Sequence, residues 1–146
     1  MKKKRKYKEP LSTYTFNILR QPPKENLEDD LRWICYALGL INPRDRDESC
    51  LKIVEIVLEA SKEEEGISSS EITKRLNLTR GAVINHLNRL MQARFIIKRG
   101  TNYELRERNI KRTIEKIRGD IDRFLEELLQ IAESVDKAYK LKARRH

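Results

Sequence analysis

The run Ile67-Ser68-Ser69-Ser70-Glu71-Ile72-Thr73-Lys74-Arg75-Leu76-Asn77-Leu78-Thr79-Arg80-Gly81-Ala82-Val83-Ile84-Asn85-His86-Leu87-Asn88-Arg89-Leu90 decides the fold. Ser68-Ser69-Ser70-Glu71 is a capping box, in which a Ser hydroxyl takes an orphan helix amide and the Glu reaches back. Ile72, Leu76 and Leu78 supply the apolar contacts of a short helix, and Asn77-Leu78 forms a turn. Thr79 caps a longer helix running to about Ala93, whose buried stripe is Val83, Leu87 and Leu90 with Ile84 and Met91 beside it. After Arg94 the apolar period falls to two. Phe95-Ile96-Ile97-Lys98-Arg99 and Asn102-Tyr103-Glu104-Leu105 then read as short strands joined at Gly100-Thr101, a hairpin with a basic tip.

Upstream, Leu51, Val54, Val57 and Leu58 mark an amphipathic helix that trails through Lys62-Glu63-Glu64-Glu65 to Gly66. Before it, Asn26 caps a helix with Glu28, Asp29 and Asp30 in its first turn, where acids complement the helix dipole. Its apolar face is Leu27, Leu31, Ile34, Cys35 and Leu38, and Gly39 suits the position just past its end. The polar run Asn42 to Asp47 is a loop, and Gln21-Pro22-Pro23 is a stop. Leu11 to Arg20 admits two readings, a strand from the alternation of Tyr14, Phe16 and Ile18, or a helical turn or two.

Downstream, Ile110, Ile114, Ile117, Ile121, Phe124, Leu128, Ile131, Val135 and Ala138 follow one another at alternating intervals of four and three. That is an unbroken heptad seam, with Ile114, Ile121, Leu128 and Val135 at a. A helix from about Glu107 to Leu141 is about 50 Å long. It either pairs with a second copy, the reading favoured here, or folds back on its own domain. Leu125, Leu129 and Leu141 widen the stripe, and Gly119 falls at the exposed f position.

The expected architecture is mainly α: a winged helix-turn-helix of three helices and a β-hairpin wing, with an N-terminal helical extension and a long C-terminal coiled-coil helix. Its divisions are a disordered basic arm at 1–10, the helical extension at 11–46, the winged helix at 47–106, the dimerisation helix at 107–142 and a basic tail at 143–146.

The 146 residues carry a net charge of +9, unevenly spread. Residues 1–10 come to +5, residues 66–105 to +5 and residues 137–146 to +5, whereas residues 11–65 come to −5. Positive charge clustered at both termini and on the central motif is the footprint of a polyanion binder.

The stretch Ile67 to Leu90 resembles the helix-turn-helix of archaeal and bacterial winged-helix regulators, with the arsenic-repressor-like (ArsR) and multiple-antibiotic-resistance (MarR) families as the nearest. Phe95 to Tyr103 is similar to their wing. Leu27 to Cys35 looks like an upstream extension of archaeal ArsR-type proteins. Residues from about 50 to 106 are covered. The resemblance implies double-stranded DNA as partner. The residues themselves place the contacts: with Val83, Leu87 and Leu90 inward, Gly81, Ala82, Asn85, Asn88, Arg89 and Gln92 turn outward. Asn85 suits adenine, Arg89 suits guanine or phosphate, and Thr79 and Arg80 at the helix N-terminus suit phosphate. Lys98, Arg99 and Thr101 on the wing would grip the flanking backbone. From Thr79 to Arg99 there is no acid.

Other classes find little support. His86 lies on the reading helix, and His146 lies in the basic tail. No Gly-rich phosphate loop, HExxH pattern or nucleophile elbow occurs, so no enzyme is expected. Cys35 and Cys50 sit on apolar faces and read as core thiols rather than metal ligands, so no metal or cofactor is expected. A Lys-rich chain with two cysteines and no apolar leader or membrane-length run reads as cytoplasmic, with no membrane partner. The expected function is a sequence-specific, dimeric transcriptional regulator. A sequence-independent architectural nucleic-acid binder and a winged-helix protein-interaction module are the alternatives. No effector can be named from these residues.

Overall fold

The structure, a computed structural model, describes residues 7–20, 27–42 and 48–144. The basic arm up to Lys6, the Gln21-Pro22-Pro23 stop, the Asn26 cap, most of the polar loop and the terminal Arg145 and His146 lie outside the described residues. The elements run α1 (Leu27–Ala37), α2 (Ser49–Ser61), β1 (Ile67–Ser68), α3 (Ser69–Leu76), α4 (Arg80–Gln92), β2 (Ile96–Arg99), β3 (Asn102–Leu105) and α5 (Ile110–Tyr139). This order, with an antiparallel sheet arranged β1-β3-β2, is that of a winged helix.

The core lies where α2, α3 and α4 meet the sheet. Ile53, Val54 and Val57 from α2 meet Ile72 from α3, Val83, Leu87 and Leu90 from α4, Phe95 just before β2, and Ile96 and Tyr103 from the wing strands. Each helix keeps its apolar stripe toward this centre, as the 3.6-residue period requires. Cys35 and Cys50 join the core as thiols without a disulfide, and Cys50 Sγ donates to the Leu40 carbonyl at 3.2 Å. Burial, with smaller contributions from Cys50 and Glu55, pushes the Cys35 thiol up to about 12.

Three local outcomes differ from expectation. α2 ends at Ser61 rather than running to Gly66, because three consecutive glutamates would sit against the negative end of the helix dipole. The Ser61 hydroxyl donates to the Val57 carbonyl at 2.7 Å and accepts from the Leu105 amide at 3.0 Å, tying the helix end to the wing. The capping box forms only in part: Ser68 Oγ accepts from the Glu71 amide at 3.2 Å, but the Glu71 carboxylate pairs with Arg75 at 3.3 Å. Finally, the hairpin is the outer part of a three-stranded sheet. β1 pairs with β3 through Ile67 opposite Tyr103 and Ser68 opposite Asn102.

The N-terminal extension is helical only in α1. Residues 11–20 form neither helix nor strand and run as an extended strap across the body. The Thr13 amide donates to the Gln92 carbonyl at 3.0 Å, the Asn17 amide to the Ala37 carbonyl at 2.9 Å, and the Trp33 indole to the Arg20 carbonyl at 2.7 Å. The strap therefore satisfies carbonyls left free at the C-terminal ends of α1 and α4. It passes so close to Gly39 that a Cβ there would stand 1.9 Å from the Thr15 carbonyl oxygen. Gly39 has φ +70° and closes α1 in a Schellman motif, with Leu40 N–H reaching the Cys35 carbonyl. Both demands select glycine.

α5 starts at the Asn109 cap, whose side chain accepts from the Arg112 amide at 2.7 Å. Thr113 is fully buried, its hydroxyl donating to the Asn109 carbonyl and accepting from the Glu107 amide. Ile117 is the last buried residue of the helix. The remaining turns carry the heptad stripe, still in phase, away from the winged-helix body.

Candidate nucleic-acid interface

The turn between α3 and α4 is built by two polar caps. Asn77 takes the left-handed conformation at φ 52° and returns its amide to the Thr73 carbonyl at 3.1 Å. Thr79 then starts α4, its hydroxyl oxygen accepting from the Ala82 amide at 3.1 Å. Asn tolerates the left-handed region better than most side chains, and Thr caps well, so local chemistry sets the bend.

Burial of Val83, Leu87 and Leu90 leaves Thr79, Arg80, Gly81, Asn85, Asn88 and Arg89 exposed, with Ala82 half-buried at their edge. A Cβ added at Gly81 would meet nothing within 4 Å, so the front of the helix is open on that side. Among the described residues Arg80 forms no ion pair. Its exposure replaces the core-side orientation that its ideal helical angle suggests.

Two of the outward side chains are already engaged by the protein. Arg89 donates to the Leu40 carbonyl at 3.3 Å. Gln92 donates to the Pro10 carbonyl at 3.3 Å and to Thr13 Oγ1 at 3.2 Å. The strap and the α1 end thus occupy the C-terminal end of the outward face, and its N-terminal two turns remain clear. These contacts join residues up to 82 positions apart, which no local pattern reveals.

On the wing, Lys98 lies over the Tyr103 ring with its ammonium 5.5 Å from the centroid. Arg99 pairs with Glu104 at 2.8 Å, its side chain still 75% exposed. Thr101 is exposed at the tip. The acid-free stretch from Thr79 to Arg99 thus has an acid beside it in space, supplied by β3.

Lys74 was not among the expected contacts. It is exposed in the last turn of α3 and has no ion pair among the described residues. The surplus of cations in residues 66–105 pointed to it, but its helix face could be assigned only once α3 was packed.

Behind the interface, the strap, the wing exit and α5 meet at Asp120. The Tyr14 hydroxyl donates to Asp120 Oδ2 at 3.0 Å, and Arg106 pairs with the same oxygen at 2.8 Å. Burial acts to raise the Asp120 pKa. The Tyr14 hydrogen bond and the Arg106 and Arg123 charges outweigh it and hold the carboxyl below the ordinary value. Burial, then Asp120 itself, raises the Tyr14 phenol.

No group of three or more His, Cys, Asp or Glu side chains among the described residues is placed to hold a metal ion. No helix among them is long and apolar enough to cross a membrane. The comparisons yield no matching curated protein and no matching solved structure. Residues 46–97, which span α2, β1, α3, α4 and the start of β2, match the family described as winged helix-turn-helix DNA-binding.

Proposed function

We propose that the chain is a transcriptional regulator of the ArsR/MarR-like kind that reads a specific sequence in double-stranded DNA as a homodimer. The N-terminal turns of α4 enter a major groove, and the wing rides the flanking backbone. The observation that carries this reading is the clear, acid-free front of α4. Gly81 leaves room for close approach, Asn85 and Asn88 offer paired hydrogen-bonding tips, and Arg80 and Lys74 flank them as uncommitted cations. Bidentate amide contacts of this kind distinguish adenine in the major groove. Dimerisation rests on α5, whose heptad stripe outruns the body. A two-fold dimer would select a pseudo-palindromic site.

One observation favours the architectural alternative: Arg89 and Arg99 are engaged within the protein, which leaves fewer side chains to read bases. Selection from a random duplex pool at physiological salt separates the two. A regulator enriches a defined motif and prefers it by ~10³-fold or more over a shuffled duplex, and Asn85→Ala/Asn88→Ala removes the preference. An architectural binder enriches no motif and binds both duplexes equally. Absence of all DNA binding would instead indicate a protein-interaction module.

A further inference from the structure

Beyond Ile121, α5 exposes seven large apolar side chains, from Phe124 to Tyr139, at 44 to 76% of their area. At on the order of 100 Å² each, the six on or beside the seam (Leu129, at b, faces away) offer ~600 Å² per protomer, which together with the tip contact described below approaches the ~800 Å² per partner that a stable interface buries. The amount of surface therefore suits a second copy of this chain.

Two features settle the direction of pairing. The first is charge. Residues 115–136 carry seven acids and three bases, whereas residues 137–144 carry four bases and no acid. Parallel helices would set the two basic tips, residues 137–144, beside each other. Antiparallel helices in the register given below set each tip against residues 115–122 of the partner, which carry three acids and two bases. The second is a groove of about 750 Å³ between the strap and α5, with Leu11, Tyr14 and Phe16 on one wall and Ile121 and Phe124 on the other. Glu9 and Glu127 line it, together with Asp120, which is already paired with Arg106 and Arg123. The tip of α5 offers a matching set, with Leu141 64% exposed between Lys140 and Lys142.

We infer that two α5 helices pair antiparallel, each tip seated in the partner's acid-rimmed groove between strap and α5. This rests on the reading that the chain dimerises through α5. The heptads close in this register without a gap: Phe124 meets the partner's Val135, Leu128 meets the partner's Ile131, and Ile121 meets the partner's Ala138. Large side chains face smaller ones at each end, and Leu141 enters the partner's groove with its lysines at the rim. At 1.5 Å per residue the points where the two helices leave their bodies stand roughly 35 Å apart, about one turn of duplex DNA. The strap that walls the groove is the segment hydrogen-bonded to Gln92 at the end of α4, so pairing and DNA reading share one element.

The test is cross-linking of separately tagged Phe124→Cys and Val135→Cys proteins, alone and mixed. Both positions are about half exposed in the protomer, and the native thiols are buried. Antiparallel pairing joins the two variants to each other and neither to itself, because like positions stand roughly 16 Å apart, beyond disulfide reach. Self-linking of each variant without the mixed product overturns the inference in favour of parallel helices. No product from either variant or from the mixture, while the wild-type protein sediments as a dimer, overturns it by placing the interface elsewhere. A wild-type monomer at micromolar concentration overturns the dimer reading itself. The seating of the tip is tested by Lys140→Glu/Lys142→Glu, expected to weaken the dimer at least tenfold at low salt. An unchanged dissociation constant removes the groove from the interface.

Discussion

Replacing Gly81 by leucine separates the stability of α4 from its use. In the free protein the new side chain meets open space, since nothing lies within 4 Å of a Cβ built there. Leucine is also a better helix former than glycine by ~0.8 kcal/mol in a helix interior, so the fold should be unharmed or slightly more stable. On DNA the outcome reverses. Gly81 stands in the first turn of α4, the end that meets base edges in helix-turn-helix proteins. An isobutyl group there holds the helix off the groove floor by roughly 3 Å, more than the ~0.5 Å tolerance of an amide hydrogen bond. Contacts from Asn85 and Asn88 are lost together. At ~1–3 kcal/mol for each bidentate contact, the specific site should weaken by ~2–4 kcal/mol, or about 30- to 1,000-fold. Fluorescence anisotropy on the selected duplex and on its shuffled counterpart, paired with a urea melt, reads both effects. The shuffled duplex should change little, because phosphate contacts carry that affinity. A leucine variant that melts like wild type and keeps its full sequence preference would refute the placement of α4 in the groove.

Three further outcomes are expected. Gly39→Ala should destabilise the protein by ~2 kcal/mol or more and release the strap, since the methyl group collides with the Thr15 carbonyl and the backbone has positive φ; Trp33 fluorescence and a denaturant melt report it. Lys74→Ala and Lys98→Ala should each reduce the slope of log binding constant against log salt by ~1 without relaxing sequence preference, and a slope unchanged in both would remove them from the phosphate contacts. For Asp120, whose folded pKa is depressed, the stabilisation is present above its unfolded value of 3.8 and lost as pH falls through the folded value. The strap should therefore stay docked above that value and loosen progressively as pH falls below it. Amide exchange at Thr13 and Asn17 measures this, and Asp120→Asn should remove the acid-side change.

The order of elements was legible in the residues because each signal is local. Ser68 and Thr79 cap the helices they were expected to cap, the stripe of Val83, Leu87 and Leu90 is buried, and the period of two marks the wing. The same stripe named the outward face of α4, since fixing one side of a helix fixes the other. β1 escaped notice because two residues show no period and its partners Asn102 and Tyr103 lie far along the chain. The strap was ambiguous because its hydrogen bonds go to helix ends rather than to neighbours in sequence.

Two determinations belong to different levels of the molecule. Covalent spacing suffices for the helices, the turn, the wing and the heptad stripe of α5, because caps, apolar period and charge act within a few residues. Tertiary packing alone assigns Arg89 to the Leu40 carbonyl, Gln92 to the strap and Arg99 to Glu104, leaving Arg80, Asn85 and Asn88 as the clear front of α4. It also shows that the body covers α5 only as far as Ile121, with Ile117 its last fully buried residue. A polar side chain has many partners within reach of an unfolded chain, and only the folded arrangement decides which of them stands at hydrogen-bonding distance.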